Sequence, residues 1–239
     1  MEETYTSLAR QIQEQVKTSP HGRILVGIAG PPGSGKSTVA THLAGLLNML
    51  PSFQVPGEQS STHSLATSYA VPISIDGFHL TQAQLAAMPN ATEAFARRGA
   101  PWTFDVDAVL AFVQALKVSC LQPAAARPPL LAPSFDHALK DPVADTVVIT
   151  PGAGVLLLEH NYLLLDQGKW RDVAALLDFS VLIHVDEGVA EDRVAKRHVF
   201  SGIEPTMDLA VARFRGNDAI NGMLIRENVV GADFELWSV

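Results

Sequence analysis

The stretch Gly30-Pro31-Pro32-Gly33-Ser34-Gly35-Lys36-Ser37 decides how the rest of the chain is interpreted. It matches the pattern of a phosphate-binding loop, or P-loop, in which glycines let the backbone curl so that its N–H groups point at phosphate oxygens. In that pattern the lysine, here Lys36, contacts the β- and γ-phosphates, and the hydroxyl of Ser37 ligates Mg²⁺. The stretch therefore predicts a site for a nucleoside triphosphate.

The segments on either side of the loop are the ones that such a loop requires. Ile24 to Ile28 is a short apolar run, as expected for a central parallel strand. Lys36 to Leu50 has the composition of a helix that ends before Pro51, and the positive end of its dipole would face the phosphates. The predicted nucleotide-binding residues are Gly30, Pro31, Pro32, Gly33, Ser34, Gly35, Lys36, Ser37 and Thr38.

Apolar runs and helical patterns alternate along the remaining chain. Further strands are expected at 71–75, 146–150, 155–159, 179–185 and 232–237, and helices at 81–88, 106–121, 170–177, 189–200, 209–215 and 219–228. Leu8, Ile12 and Val16 predict an opening amphipathic helix, and 123–133 is expected to be extended or irregular. The alternation predicts an α/β, three-layer P-loop NTPase fold with a parallel five-stranded core sheet and a helical lid.

No stretch has the composition of an interdomain linker, so residues 1–239 are expected to form a single domain. Residues 52–68 are rich in Ser, Thr, Gln, Pro and Gly, which is typical of a mobile surface insertion. The lid region is expected at 187–216.

Composition limits the kinds of partner. The 239 residues carry a net charge of −8, and an acidic chain is a poor binder of nucleic acid, so we expect small-molecule partners.

The single Cys120 cannot form a disulfide within the chain, which fits a reducing compartment. No apolar run reaches the roughly 18–20 residues of a membrane span, and the N-terminus lacks the apolar core of a secretory signal. We expect a cytoplasmic protein of undetermined oligomeric state.

A P-loop alone does not separate kinases from other nucleotide-binding proteins. The chain has no Asn-Lys-x-Asp stretch to recognise guanine and no Leu-Ser-Gly-Gly-Gln stretch of a transporter ATPase. Glu159 ends a predicted strand, where an acidic residue of a P-loop fold lies near the phosphates and can hold Mg²⁺, usually through water. The alternative is an ordinary strand-end carboxylate. Ser37 and Glu159 are the predicted metal-binding residues.

The segment around the loop, from Gly27 to Ser37, and the segment Ile75-Asp76-Gly77-Phe78-His79 together resemble the phosphoribulokinase/uridine kinase family. Bacterial pantothenate kinases have a similar Asp-Gly-Phe stretch. The chain is most similar to a uridine kinase-like subgroup of fungi and bacteria. That subgroup has segments similar to Arg97–Asp105, Pro133–His137 and Asn161–Leu164, so that the resemblance extends from about Ile24 to about Asn228.

The resemblance implies that Asp76 acts as general base on the acceptor hydroxyl. A carboxylate within hydrogen-bond reach can take the proton as the oxygen attacks the γ-phosphorus, and it can also help to hold Mg²⁺. The alternative is a strand-end aspartate that caps the following turn.

The resemblance also implies a set of residues around the acceptor. Asp105 would grip ribose hydroxyls, although an N-cap of the following helix would explain it as well. Asp136 and His137 would lie against the acceptor, but a lone histidine such as His137 or His79 is as often a structural hydrogen-bonding group. The predicted substrate-binding residues are Asp76, Phe78, His79, Arg98, Asp105, Asp136 and His137, with a surface role equally open for Arg98.

Arg193, Lys196 and Arg197 share one face of a predicted helix. In the family this helix belongs to a lid whose cations neutralise the phosphates during transfer. The alternative is a solvated charged helix, because acidic residues are interleaved with the basic ones. The predicted catalytic residues are Lys36, Asp76, Arg193 and Arg197.

One residue departs from the family pattern. The family usually has Glu-Gly-Asn-Tyr where this chain has Glu159-His160-Asn161-Tyr162. His160 adds bulk beside the proposed metal ligand, so the shape of the acceptor pocket does not follow from the resemblance.

These observations predict an ATP-dependent kinase that uses Mg²⁺ and phosphorylates a hydroxyl of a small metabolite, with a nucleoside as the first candidate. A sugar, glycerate or pantothenate-like alcohol is the alternative acceptor. An ATP-binding or weakly hydrolysing regulatory protein is the alternative class. Three carboxylates around an acceptor pocket, Asp76, Asp105 and Asp136, favour an enzyme over such a switch.

Overall fold

The computed structural model describes residues 2–49, 68–136 and 138–238. The predicted insertion at 52–68 lies outside these ranges except for Ser68, and so does His137.

Five parallel strands form the central sheet. They are β1 Ile24–Ala29, β2 Ala70–Ser74, β5 Val155–Glu159, β6 Phe179–Val185 and β7 Phe234–Ser238, and they lie in the order β2-β5-β1-β6-β7. The three inner strands are apolar along almost their whole length, as strands covered on both faces must be. The prediction of a parallel five-stranded core sheet is confirmed.

Nine α-helices are described, and they cover both faces of the sheet. They are α1 Glu2–Thr18, α2 Lys36–Met49, α3 Gln82–Ala86, α4 Ala91–Ala96, α5 Val106–Cys120, α6 Gly168–Ala174, α7 Glu187–Phe200, α8 Met207–Arg213 and α9 Ala219–Glu227. None of them combines the length and apolar character needed to cross a bilayer, as far as the described ranges go.

Alternate residues of β1 point into two separate hydrophobic cores. Val26 and Ile28 pack with the buried faces of α1 and α2, whereas Leu25 and Ala29 pack with α5 and α6. This division follows from the pleat, which sends successive side chains to opposite faces of the sheet. The three layers of the predicted fold are therefore present.

The main departure from the expected architecture is an antiparallel pair outside the core sheet. Strand β3, Leu130–Asp136, pairs with β4, Asp141–Ile149. Of the segment 123–133, which was expected to be extended or irregular, the last four residues are the extended start of β3, and the strand expected at 146–150 is the end of the longer β4. Pro133 obscured the pattern because it has no N–H for the ladder, and the register shifts at this residue.

The β3–β4 pair packs directly on the turn that follows β2, a 3₁₀ turn over Ile75–Phe78. A Cβ atom on Gly77 would lie 2.2 Å from the carbonyl oxygen of Pro133. Only glycine permits this approach of two backbones. The hairpin thus holds the turn that carries Asp76.

Candidate active site

The strand order brings three predicted functional segments to one edge of the sheet. Glu159 at the end of β5 is in register with Ile28 of β1 on one side and with Ser74 of β2 on the other. Because the strands are parallel, the P-loop after β1 and the Asp76 turn after β2 leave the sheet at the edge where Glu159 lies. A cleft of about 390 Å³ opens there.

The P-loop packs tightly against helix α7. Gly33 has a φ of 80°, and a Cβ atom there would lie 2.9 Å from both the Cα and the carbonyl oxygen of Ala190. The carbonyl oxygen of Gly33 accepts a hydrogen bond from Arg193 Nη1 at 3.2 Å. Backbone conformation and close approach therefore both require glycine at this position.

Lys36, at the start of α2, is 9% exposed and lines the cleft. Its ammonium group donates to the carbonyl oxygen of Pro31 at 3.0 Å. Burial lowers the pKa of Lys36 to about 8; the negative charges of Glu159 and Asp76 act in the opposite direction, and Arg197 adds to the lowering. A buried ammonium group at the base of a cleft is suited to an anionic ligand.

Glu159 and Ser37 fit a Mg²⁺ ion that phosphates help to hold. The carboxyl of Glu159 is 8% exposed, and burial followed by the charge of Asp76 raises its pKa, whereas Lys36 and the hydroxyls of Ser74 and Ser37 lower it. Within the described ranges no group of three or more His, Cys, Asp or Glu side chains could hold a metal by itself. Mg²⁺ commonly takes one or two protein oxygens and completes its shell with phosphates and water.

Asp76 projects from the turn after β2 into the cleft. Its side chain is 46% exposed, and its Oδ1 lies 3.7 Å from His160 Nε2. The turn is capped by Ser74, whose hydroxyl accepts from the N–H of Asp76 at 3.3 Å. The capping function that was the alternative explanation for Asp76 thus falls to Ser74.

The two residues after Gly77 have different surroundings. The ring of His79 lines the cleft, packs against Phe104 at 4.0 Å and has its Nδ1 2.8 Å from the carbonyl oxygen of Asp76. Phe78 is buried and packs on Phe112 at 5.3 Å. Among these two predicted substrate-binding residues, the structure places only His79 in the cleft wall.

Arg98 does not line the cleft. Its guanidinium donates to the carbonyl oxygens of Lys140 at 2.6 Å and Leu80 at 3.0 Å, and to the carboxylate of Asp141 at 3.1 Å. These bonds join the segment before α5 to the start of β4. The surface role left open for Arg98 is closer to this geometry than a contact with the acceptor.

Asp105 and Asp136 also lie outside the cleft wall. The exposed Asp105 accepts from the N–H of Ala108 at 3.0 Å and caps α5, which is the alternative that its position before an apolar helix suggested. Asp136 accepts from the N–H groups of Ala138 at 2.7 Å and Leu139 at 3.0 Å, in the turn between β3 and β4. The geometry therefore does not bring these two carboxylates together with Asp76.

Helix α7 places two of its three basic residues in the cleft. Arg193 and Arg197 line it, and Arg193 Nη1 also donates to Ser238 Oγ at 2.7 Å. Lys196 instead pairs with Asp192 at 2.8 Å on the exposed side of the helix. The description of a solvated charged face applies to Lys196 and not to the two arginines.

Several residues of the cleft wall are absent from the predicted set, and Asp218 is the one with a charge. It lies in a π-helical turn, Phe214–Asp218, between α8 and α9. Burial raises the pKa of its carboxyl, and Arg197 and Arg213 oppose that effect. The sequence contained a signal for this residue, since Gly216-Asn217-Asp218 separates two predicted helices. Irregular π turns at such places are frequent at functional sites. The others are Gly99, Phe104, His160, Asn161 and Val194.

His160 forms part of the cleft wall although its side chain is 1% exposed. The ring stacks on Trp170 at 5.2 Å and meets the edges of Phe104 at 4.5 Å and Tyr162 at 5.2 Å. Burial lowers the pKa of His160 to about 3. The bulk that was expected at this position is therefore packed into the aromatic core beside Asp76.

No protein-family model matches the chain. Among curated proteins, "Putative uridine kinase" of Schizosaccharomyces pombe is 37% identical over 214 residues, which are 90% of this chain and 83% of that protein. The chain belongs to the uridine kinase-like family of P-loop kinases. A second relative of this uridine kinase-like chain, "ATP-dependent kinase-like protein notR'" of Aspergillus versicolor, is 46% identical over 154 residues, 64% of this chain and 88% of that protein.

A solved structure extends the likeness of this uridine kinase-like protein over nearly its whole length. The "putative fructose transport system kinase" of a Silicibacter species superposes with a TM-score of 0.78 at 30% identity and covers 98% of each chain. The names of these relatives agree on kinase activity and differ in the acceptor. The uridine kinase-like chain is therefore a P-loop phosphotransferase.

Proposed function

We propose that the protein transfers the γ-phosphoryl group of ATP to a hydroxyl of a small metabolite, and that a nucleoside such as uridine is the first candidate acceptor. The observation that carries this proposal is the position of Asp76. Its half-exposed carboxylate faces the same cleft as Lys36, beyond the P-loop and next to Glu159. A carboxylate at that place can take the proton of an acceptor hydroxyl as the phosphoryl group is transferred.

In this proposal the P-loop and Lys36 hold the triphosphate. Gly33, Gly35, Lys36, Ser37 and Thr38 line the cleft at the start of α2, where the positive end of the helix dipole would face a phosphate, and the buried ammonium group supplies the charge. Ser37 and Glu159 would hold Mg²⁺. Bound there, the ion would neutralise the phosphate oxygens on which negative charge is concentrated.

Asp76 is proposed as the general base. The acceptor hydroxyl would lie between its carboxylate and the γ-phosphorus, so that the proton passes to a carboxylate oxygen as the new P–O bond forms. The carboxylate lies at the edge of the sheet, on a turn fixed by the Gly77–Pro133 contact. Holding the hydroxyl in line with the phosphorus accounts for much of the rate that such kinases achieve.

Arg193 and Arg197 are proposed to stabilise the charge of the transferred group. Both residues belong to α7 and line the cleft that Asp76 also lines. We propose residues 187–216 as the lid, because α7, at the start of this segment, carries both cations and follows directly from β6. Cations held in fixed positions beside developing negative charge contribute strongly to such stabilisation.

A sugar is the second candidate acceptor, and two observations favour it. The kinase whose structure resembles this chain over 98% of its length has fructose in its name. Asp105, the residue that suggested a ribose, caps α5 on the protein surface instead. The nucleoside remains first because the uridine kinase name belongs to the relative that matches 90% of the chain.

The test is an ATP-consumption assay over uridine, cytidine, fructose, D-glycerate and pantothenate, with mass spectrometry of the products. Acceptor-dependent ADP formation together with a phosphorylated product supports the proposal. ATP hydrolysis that no acceptor stimulates would overturn it in favour of a regulatory ATP-binding protein. The buried thiol of Cys120 is consistent with the cytoplasmic location that we also propose.

A further inference from the structure

The imidazole of His160 is held in one orientation. Its ring is enclosed by Trp170, which stacks on it with an interplanar angle of 21°, and by the edges of Phe104 and Tyr162. The backbone N–H of Tyr162 lies 3.3 Å from Nδ1 and donates to it. A ring packed on three sides and hydrogen-bonded on one nitrogen has little freedom to turn.

The hydrogen bond from Tyr162 also fixes where the ring carries its proton. A nitrogen that accepts a hydrogen bond cannot carry a proton, so Nδ1 is bare and the proton resides on Nε2. His160 therefore presents a neutral N–H donor on its other side.

This donor has no hydrogen-bond partner among the described residues. A buried donor that stays unsatisfied is costly and requires an explanation. The nearest acidic group is the carboxylate of Asp76, whose Oδ1 is 3.7 Å from Nε2. A shift of less than about 1 Å would bring the two atoms to hydrogen-bond distance.

Asp76 is the acceptor that the surroundings of Nε2 offer. The charged or titratable groups that act on His160 are Asp76, His79 and Lys36, and only Asp76 is an anion. The aromatic neighbours, Trp170 and Phe104, offer no acceptor oxygen. The donor thus lies 3.7 Å from the carboxylate for which the proposed reaction needs a fixed orientation.

We propose that His160 is a positioning residue for Asp76, with its Nε2–H donating to Oδ1 so that the second carboxylate oxygen is directed at the acceptor hydroxyl. This inference rests on the proposed function, since it presumes that Asp76 takes the proton of the acceptor. The role differs from binding the acceptor, because Nε2 is covered and out of reach of a ligand. It also gives the histidine at this position a reason other than filling space.

Two substitutions of similar size separate the hydrogen bond from packing. In His160→Gln the terminal amide nitrogen can reach the place of Nε2 and donate to Asp76. In His160→Asn the shorter side chain can still accept from the N–H of Tyr162 but cannot reach Asp76. Both variants lose the aromatic ring, so the unfolding temperature should fall to a similar extent in the two.

With uridine, or whichever acceptor of the panel above is phosphorylated best, we expect His160→Asn to lower kcat by roughly 10²-fold, the usual effect of a misplaced catalytic group. We expect His160→Gln to keep kcat within about 5-fold of the parent, and the KM for ATP to be unchanged in both. In an Asp76→Asn background, His160→Asn should have almost no further effect, because the two residues act as a unit. Equal losses in the Asn and Gln variants, or additive losses with Asp76→Asn, would overturn the inference. If His160→Asn does not unfold cooperatively, His160→Phe, which keeps the ring and removes the donor, takes its place.

Nitrogen-15 NMR of the histidine side chains provides a readout that needs no acceptor. We expect the parent to show a protonated Nε2 and a bare Nδ1 for His160, and the Nε2–H proton to move upfield in Asp76→Ala. A proton on Nδ1, or a signal unchanged in Asp76→Ala, contradicts the inference even if the kinase activity is established. If the NMR result is as expected and no acceptor is phosphorylated, the pairing of His160 and Asp76 stands and the proposed function fails.

Discussion

The ammonium group of Lys36, at the end of the P-loop, donates a hydrogen bond of 3.0 Å to the carbonyl oxygen of Pro31 near its beginning. Replacing Lys36 by alanine removes a buried positive charge, which is costly to the folded state. Alanine also has a high helix propensity, so the start of α2 should be kept. We expect Lys36→Ala to lower ATP turnover by at least roughly 10²-fold while the unfolding temperature stays within a few degrees. The comparison is turnover and thermal unfolding of variant and parent, and parent-like turnover would refute the role of the P-loop.

The lowered pKa of Lys36 predicts that nucleotide binding takes up a proton. In the free site the pKa is about 8, below the ordinary value, because the group is buried. Nearby phosphates raise the pKa of Lys36 in the complex. Affinity for ADP is therefore greatest below the pKa of the free site, and it declines as the pH rises from that value to the higher pKa of the complex. Calorimetry at about pH 8.5 in two buffers with different ionisation enthalpies measures the proton uptake. The uptake should vanish in Lys36→Ala, and equal apparent enthalpies for the parent would exclude this linkage.

Asp76→Asn keeps the size of the side chain and removes its capacity to take a proton. Affinity for ATP should change little, because residues 33–37 are the ones proposed to hold the triphosphate, whereas kcat should fall by roughly 10²–10⁴, the usual cost of losing a general base. Calorimetric ATP binding beside steady-state turnover gives both quantities. Loss of Mg-ATP binding would instead mark Asp76 as chiefly a metal ligand, and Glu159 would become the better candidate for the base.

Helix α7 offers a matched pair of cations. Arg197 lines the cleft, and Lys196 next to it pairs with Asp192 on the exposed side. We expect Arg197→Ala to lower kcat by roughly 10–10³-fold and Lys196→Ala to leave it within about 2-fold, because an exposed ion pair contributes little. Turnover of both variants at saturating ATP decides the matter, and similar values would mean that α7 is a solvated charged helix.

The close contact between the Asp76 turn and β3 should be visible in stability. Gly77→Ala would place a Cβ 2.2 Å from the carbonyl oxygen of Pro133, and we expect a loss of at least about 1–3 kcal/mol. Gly45→Ala in α2 is the control, because a Cβ there meets nothing within 4 Å and alanine favours helix by up to about 1 kcal/mol. Denaturant unfolding measures both, and an unchanged Gly77→Ala would show that β3 can move away from the turn.

The parts of this site that were predictable are those encoded locally. The P-loop with β1 and α2, and Asp76 and Glu159 at strand ends, follow from short motifs and from the rule that parallel strands present their carboxyl ends at one edge. Asp218 was missed because its place in the cleft depends on contacts between distant segments. Arg97 donates to Asn221 at 2.9 Å, and this bond joins α4 to α9 across 124 positions of the chain.

Likeness to a family leaves a choice open where one residue type can serve two purposes. Asp105 has the spacing of a ribose-binding residue and also the position of a helix N-cap, and the backbone N–H of Ala108 takes its carboxylate. Arg98 has the charge of a phosphate-binding or substrate-binding residue, but its guanidinium donates to the carbonyl oxygens of Leu80 and Lys140. A motif states which residue types occur, whereas the partners of Arg98 depend on where β4 begins, beside Lys140 and Asp141.

The order of strands has a consequence for the nascent chain. β1 and β2 leave the ribosome first, yet they do not pair with each other, because β5 lies between them. Until residues 155–159 have been synthesised, two apolar strands lack the neighbour that joins them, and such exposed segments invite aggregation or chaperone binding. The strand that delivers Glu159 to the cleft is thus also the one whose arrival allows the sheet to form.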